Sequence, residues 1–143
     1  MQADDFSKEM WDSWRDASVS YNAFAKKMGV DVSELYVVDA LWDESDGLTQ
    51  KAICEVCDMG KQTVSAICKR LVMRDFVTSR PSDSDKRERI TVLTPAGRDW
   101  WSPIVERSRE IETKAASAIP AEDADVFIRV VKRYVGVLRE EMR

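Results

Sequence analysis

Between Leu48 and Gly97 the order of local signals leaves little choice of fold. Thr49 is a good N-cap, and behind it Ala52, Ile53, Val56 and Cys57 recur at helical spacing, which predicts a short helix from Gln50 to about Cys57. Asp58-Met59-Gly60 breaks it. A second helix is expected from about Lys61 to Arg74, with Val64, Ile67, Cys68 and Leu71 on its apolar face and Gln62, Ala66, Lys69 and Met73 opposite. Gln62, Ser65 and Lys69 then face outward. Phe76–Arg80 and Ile90–Leu93 read as two short strands joined by the charged loop Pro81–Arg89, and Thr94-Pro95 opens another helix. Two helices with a tight break between them, followed at once by a basic hairpin, make a helix-turn-helix with a wing.

The flanks are helical and built for burial. Phe6, Met10, Trp14, Ala17, Tyr21, Phe24 and Met28 follow one another at steps of three or four residues, a single stripe about 33 Å long. Gly29 closes this helix, Ser33 is the expected cap of a second one running to about Asp43, and Gly47 is a natural stop. The helix begun at Pro95 is expected to continue towards Ala118, with a kink or local break near Trp101-Ser102 because Pro103 lies inside it. Pro120 marks a last start, and Ala124, Phe127, Val131, Tyr134, Leu138 and Met142 give that helix its stripe. A wing unit of about 50 residues cannot cover both terminal stripes, so they are expected to pair with those of a second copy.

Composition narrows the function. A chain of 143 residues, 44% hydrophobic and 34% charged, fits one soluble, helix-rich domain. No run approaches the ~20 apolar residues of a membrane span, and the acidic start Met1-Gln2-Ala3-Asp4-Asp5 is unlike a signal peptide, so a cytoplasmic location is expected. Net charge is −4, yet Met59–Arg98 carries nine basic and four acidic residues, a local +5 against −9 elsewhere. A basic reading face on an acidic body points to nucleic acid.

The motifs between Leu48 and Gly97 resemble the multiple-antibiotic-resistance-regulator (MarR) family of winged helix-turn-helix transcription factors. The resemblance rests on Leu48-Thr49, the spacing from Val64 to Leu71, Arg80-Pro81, Asp85-Lys86-Arg87 and Leu93-Thr94-Pro95-Ala96-Gly97, about a third of the chain. It implies a mainly α fold with a small β-wing: one domain over 1–143, dimerisation helices at 1–30 and 95–143, and a DNA-binding winged helix-turn-helix at 33–94. It also implies a homodimer whose terminal helices place two recognition helices in successive major grooves of double-stranded DNA. A small aromatic or anionic effector is commonly held between such helices and the reading unit. Departures are Gly60 at the usual N-cap serine, Ala66 at a usual arginine, Asp75 at a usual glycine and Ser79 at the first of two usual arginines.

Roles follow from position. Gln62 and Ser65, near the start of the recognition helix, are the base-reading candidates, since glutamine can pair with adenine N6 and N7. Lys61, Thr63, Lys69 and Arg70 are placed as phosphate contacts. At the wing, Arg87 and Arg89 are minor-groove candidates, and Asp85 is expected to orient the Arg87 guanidinium by a charge-assisted bond. Arg80, Lys86 and Arg98 read as solvated. Trp14, Tyr21 and Trp42 are the candidates for an effector pocket.

Other chemistries find less support. Cys54, Cys57 and Cys68 could supply three zinc ligands, but no histidine completes the set, so neither a metal nor another cofactor is expected. An odd number of thiols argues for the reduced form, with Cys57 and Cys68 packed as small hydrophobes and Cys54 the position to watch for redox sensing. Without histidine or a Gly-rich phosphate loop, no catalytic residue is assigned and no enzyme is expected. The leading reading is a homodimeric, ligand-responsive repressor that binds a pseudo-palindromic operator. Its competitors are a winged-helix protein-interaction module that has lost specific DNA reading and a thiol-sensing regulator using Cys54.

Overall fold

The computed structural model, which describes residues 1–143, is mainly α with a small β-wing. Its elements are α1 (Ala3–Met28), α2 (Val32–Leu41), β1 (Leu48–Thr49), α3 (Gln50–Cys57), α4 (Lys61–Met73), β2 (Val77–Pro81), β3 (Arg89–Leu93), α5 (Pro95–Ser117) and α6 (Ala121–Glu141). They pack as two compact units, Met1–Val105 and Glu106–Arg143, divided within α5. No helix is long and apolar enough to cross a membrane.

In the first unit the helix ends are set locally. Gly29, at φ +74°, ends α1 in the left-handed conformation, its N–H reaching the carbonyls of Ala25 and Lys26. The cap of α2 is Asp31 rather than Ser33: one carboxylate oxygen accepts from the N–H groups of both Ser33 and Glu34, at 2.8 and 3.3 Å. A charged acceptor serving two orphan donors starts the helix earlier than a serine two residues on would. The helix also stops at Leu41, short of Asp43. In α3, Thr49 caps as expected, its hydroxyl accepting from Ala52 N–H at 3.1 Å. The left-handed Asp58 and the bare cap Gly60 then separate α3 from α4.

The core of this unit takes Leu35, Val37, Val38 and Leu41 from α2, Ile53 from α3 and Val64, Ile67, Cys68 and Leu71 from α4. Val56, expected on the buried face of α3, is 66% exposed, because the helix turns only its Ile53 side to α2 and α4. From α1 only Ala25 is fully buried, with Phe24 and Met28 packed beside it, while Ala17 is exposed. The α1 stripe thus meets this core at its C-terminal end.

The sheet is antiparallel in the order β1-β3-β2, with Leu48 opposite Thr91, and Val77 opposite Leu93 through to Pro81 opposite Arg89. Pro81 and Arg89, expected in the loop, close the wing ladder instead. A proline is tolerated there because β2 is an edge strand. The pair Leu48–Thr49 was expected only as the lead-in to α3; its strand character comes from β3, and two residues are too few to carry an alternation.

Past the sheet, the Leu93–Gly97 motif welds α5 to the turn after α4. The Thr94 hydroxyl donates to the Asp75 carbonyl at 2.6 Å and accepts from Gly97 N–H at 2.9 Å, and Thr94 N–H donates to the Phe76 carbonyl at 3.0 Å. Gly97 lies so close to the Phe76 carbonyl that any Cβ would overlap it. Asp75, at φ +60°, occupies the left-handed position that a glycine would otherwise take. Of the expected kink or local break, the break does not occur: α5 stays helical through Pro103. Trp101, Ile104 and Val105 are buried around the proline, and the carbonyl left without its bond belongs to exposed Asp99, where water can reach it.

In the second unit, α6 starts after Pro120 and has no buried residue. Of its expected stripe, Val131, Tyr134 and Leu138 are half-buried, and Phe127 is 57% exposed.

Candidate nucleic-acid interface

With Val64, Ile67, Cys68 and Leu71 turned inward, α4 presents Lys61, Gln62, Thr63, Ala66, Lys69, Arg70 and Met73 to solvent. Ser65, read as outward, is half-buried at the edge of this face. Within it, Gln62, Ala66, Lys69 and Met73 form one line at helical spacing. Met73, 86% exposed, ends the line with an apolar tip.

The wing is built as a tight, hydrogen-bonded turn. The Asp85 carbonyl accepts from Glu88 N–H at 3.0 Å, and Ser82 N–H donates to the Glu88 carbonyl at 2.9 Å. Asp85 Oδ1 accepts from the backbone N–H of Arg87 at 3.0 Å, so the carboxylate shapes the turn through the main chain instead of holding the Arg87 guanidinium. This is the ordinary use of an aspartate at the first position of a turn. It leaves Lys86 and Arg87 exposed at the tip.

Several cations are engaged within the chain, which the sequence did not reveal. Arg89 donates from Nε to Ser79 Oγ at 3.1 Å and from Nη2 to the Ser79 carbonyl at 2.8 Å, laying its side chain across the neighbouring strand. Arg74 stacks on Phe76 and Trp100, at 4.6 and 4.8 Å from the ring centres. Arg98, expected in solvent, is half-buried: it lies over the Trp42 ring and donates to the Trp42 carbonyl at 2.7 Å, satisfying the C-terminal end of α2. Arg70 donates from Nε to Glu34 Oε1 at 3.0 Å. Lys61, Lys69, Arg80, Lys86 and Arg87 remain exposed on α4 and the wing.

A family model described as MarR family matches residues 28–88, from the end of α1 to the wing tip. Over that segment the chain is similar to the MarR family. Its fold is that of MarR-type structures: NMB1585, a MarR family regulator from Neisseria meningitidis, is 20% identical with a TM-score of 0.81, covering 94% of each chain. S. aureus MepR in its DNA-binding conformation is 16% identical with a TM-score of 0.79, over 93% of this chain and 98% of that one. Reduced AbfR bound to DNA is 23% identical with a TM-score of 0.69, over 99% of this chain and 94% of that one. Among curated protein sequences none matches.

In this chain the three aromatic residues read as an effector pocket have different immediate surroundings. Trp14 meets Trp11 edge to face at 5.5 Å and lines a hollow with Trp11, Arg15 and Ser18. Tyr21 packs edge-on to Tyr36 at 6.1 Å, and Trp42 lies beneath Arg98. The thiols are free: Cys68 is buried, and Cys54 and Cys57 are half-buried. Burial first, then the Asp39 carboxylate and the other two thiols, push the Cys57 thiol up; burial pushes Cys68 up against an opposing hydrogen bond from the Thr91 hydroxyl. No cluster of His, Cys, Asp and Glu side chains forms a metal site.

Proposed function

We propose that the chain is a homodimeric, ligand-responsive transcriptional repressor that reads double-stranded DNA with α4 and the wing. The observation that carries this reading is the exposed polar face of α4 together with a hydrogen-bonded wing tip bearing Lys86 and Arg87, in a MarR-type fold. Gln62 and Ser65 read base edges, and Lys61, Thr63, Lys69 and Arg70 contact phosphates. Arg87 enters the minor groove from the turn shaped by Asp85. Arg89, lying along the wing strand, reaches the same groove only on leaving Ser79.

Two copies joined by their terminal helices set the recognition helices about one turn of DNA, ~34 Å, apart on a pseudo-palindromic operator. An effector that binds better to a different spacing shifts the population away from DNA, by no more than its differential affinity. Trp14, with Trp11 alongside, offers an aromatic effector a stacking face, beside an Arg15 whose guanidinium is paired with Asp12 at 2.7 Å.

Selecting duplexes from a random pool with purified protein tests the reading. The parent should enrich an inverted repeat. Gln62→Ala should relax one base position per half-site at ~1–3 kcal/mol, and Arg87→Ala should lower the salt slope by about one. Indifference to both substitutions, with the fold intact, would transfer the face to the second reading, a protein-interaction module, which exposed Met73 and Ala66 favour.

A further inference from the structure

The contact between Arg70 and Glu34 joins positions 36 residues apart and is built unlike a surface ion pair. Glu34 sits in the first turn of α2, its N–H held by the Asp31 cap, and its side chain is only 11% exposed beside the Leu35–Val38 core. A carboxylate removed from water to that degree requires a charged partner. Arg70 supplies one with Nε alone, while its side chain stays 51% exposed. One of five guanidinium donors is used, and the four on Nη1 and Nη2 lie on a planar group whose direction is set at its root. Arg70 follows Ala66 by one turn on α4, next to the position where this chain lacks an arginine.

We propose that Glu34 is a positioning residue for DNA binding: it holds the Arg70 guanidinium from the protein side so that Nη1 and Nη2 present a fixed fork to a backbone phosphate. This rests on the DNA-reading function. It makes a prediction opposite in sign to simple electrostatics. Deleting an acidic residue beside a DNA-binding face should strengthen binding by reducing repulsion of phosphate. Deleting a support for the phosphate-binding arginine should weaken it.

A double-mutant cycle on the selected duplex, read as affinity against salt concentration, separates the two. Arg70→Ala should weaken binding about tenfold and lower the salt slope by about one. Glu34→Ala should also weaken binding, several-fold, and should have no further effect on the Arg70→Ala background. Glu34→Gln, which keeps the acceptor oxygen and the volume, should fall between parent and Glu34→Ala; if circular dichroism finds Glu34→Ala unfolded, Glu34→Gln is read by the same sign. Tighter binding by the Glu34 variant, or losses that multiply in the double variant, overturns the positioning role. A parent that binds no duplex removes the DNA reading and this proposal together. A parent sensitive to Gln62→Ala and Arg87→Ala but indifferent to Glu34 overturns the positioning role alone.

Discussion

What a basic residue can do on this surface depends on what already holds it. Arg74 and Arg98 are committed to aromatic rings and Arg89 to Ser79, whereas Lys86 and Arg87 stand at the wing tip. The sequence carried the inward positions well: Val64, Ile67, Cys68 and Leu71 obey a period that only a helix with one covered face satisfies. It did not carry the partners of the charged side chains, because a contact such as Glu34 with Arg70 leaves no trace in spacing. Val56 was misread for a related reason, since periodicity names a face but not whether anything covers it. The thiols give a prediction in pH. Cys57 and Cys68 hold their protons above the ordinary thiol value of ~8.5, so as pH rises past it the unfolded chain releases protons that the native chain keeps, and stability falls. The urea midpoint should therefore drop from pH 7.5 to pH 9, and less so in a Cys57→Ala, Cys68→Ala variant. Alkylation of native Cys68 at pH 7.5 as fast as an unfolded-chain thiol would sink this account.

The elements were legible where a local signal defines them and illegible where a neighbour does. Thr49 and Gly29 mark their helix ends by their own chemistry, and both ends fall where the pattern put them. Asp31 displaced Ser33 because two residues suited to capping stood near one start, and only the folded geometry ranks them. β1 exists because β3 pairs with it. Pro103 was expected to kink or break α5, and the helix is not broken there, with Trp101, Ile104 and Val105 buried around it. Since the Pro103 side chain is exposed and takes little part in packing, Pro103→Ala restores a backbone donor without opening a cavity. It should stabilise the protein by up to ~3 kcal/mol, read as a raised denaturant midpoint at unchanged slope. An unaltered or lowered midpoint would mean that a bend at the proline is part of the native packing.

For the whole molecule, the exposed apolar surface is the chief constraint on how it exists in solution. Trp11 is 61% exposed and Phe127 57%, with Val19, Ile128 and Val137 also uncovered, far more than scattered surface hydrophobes require. A second copy of the same terminal helices is the partner the dimer reading assigns to them. Phe127→Asp tests this cleanly, because in a lone chain the substitution adds a charge to an exposed site, whereas in a dimer it buries an unpaired one. The parent should sediment as a dimer at micromolar concentration and the variant as a folded or partly unfolded monomer. A monomeric parent would remove the dimer and with it the two-fold operator.

Thr49 belongs to two elements at once. Its backbone pairs with Ile90 in the sheet, and its hydroxyl closes the first turn of α3. The base of the wing is thereby tied to α3: lifting β3 at Ile90 and Thr91 would either strip β1 from the sheet or pull the cap off the helix. A push on the base of the hairpin, whether from DNA or from a bound partner, therefore bears first on the start of α3 and, through its packing, on α4.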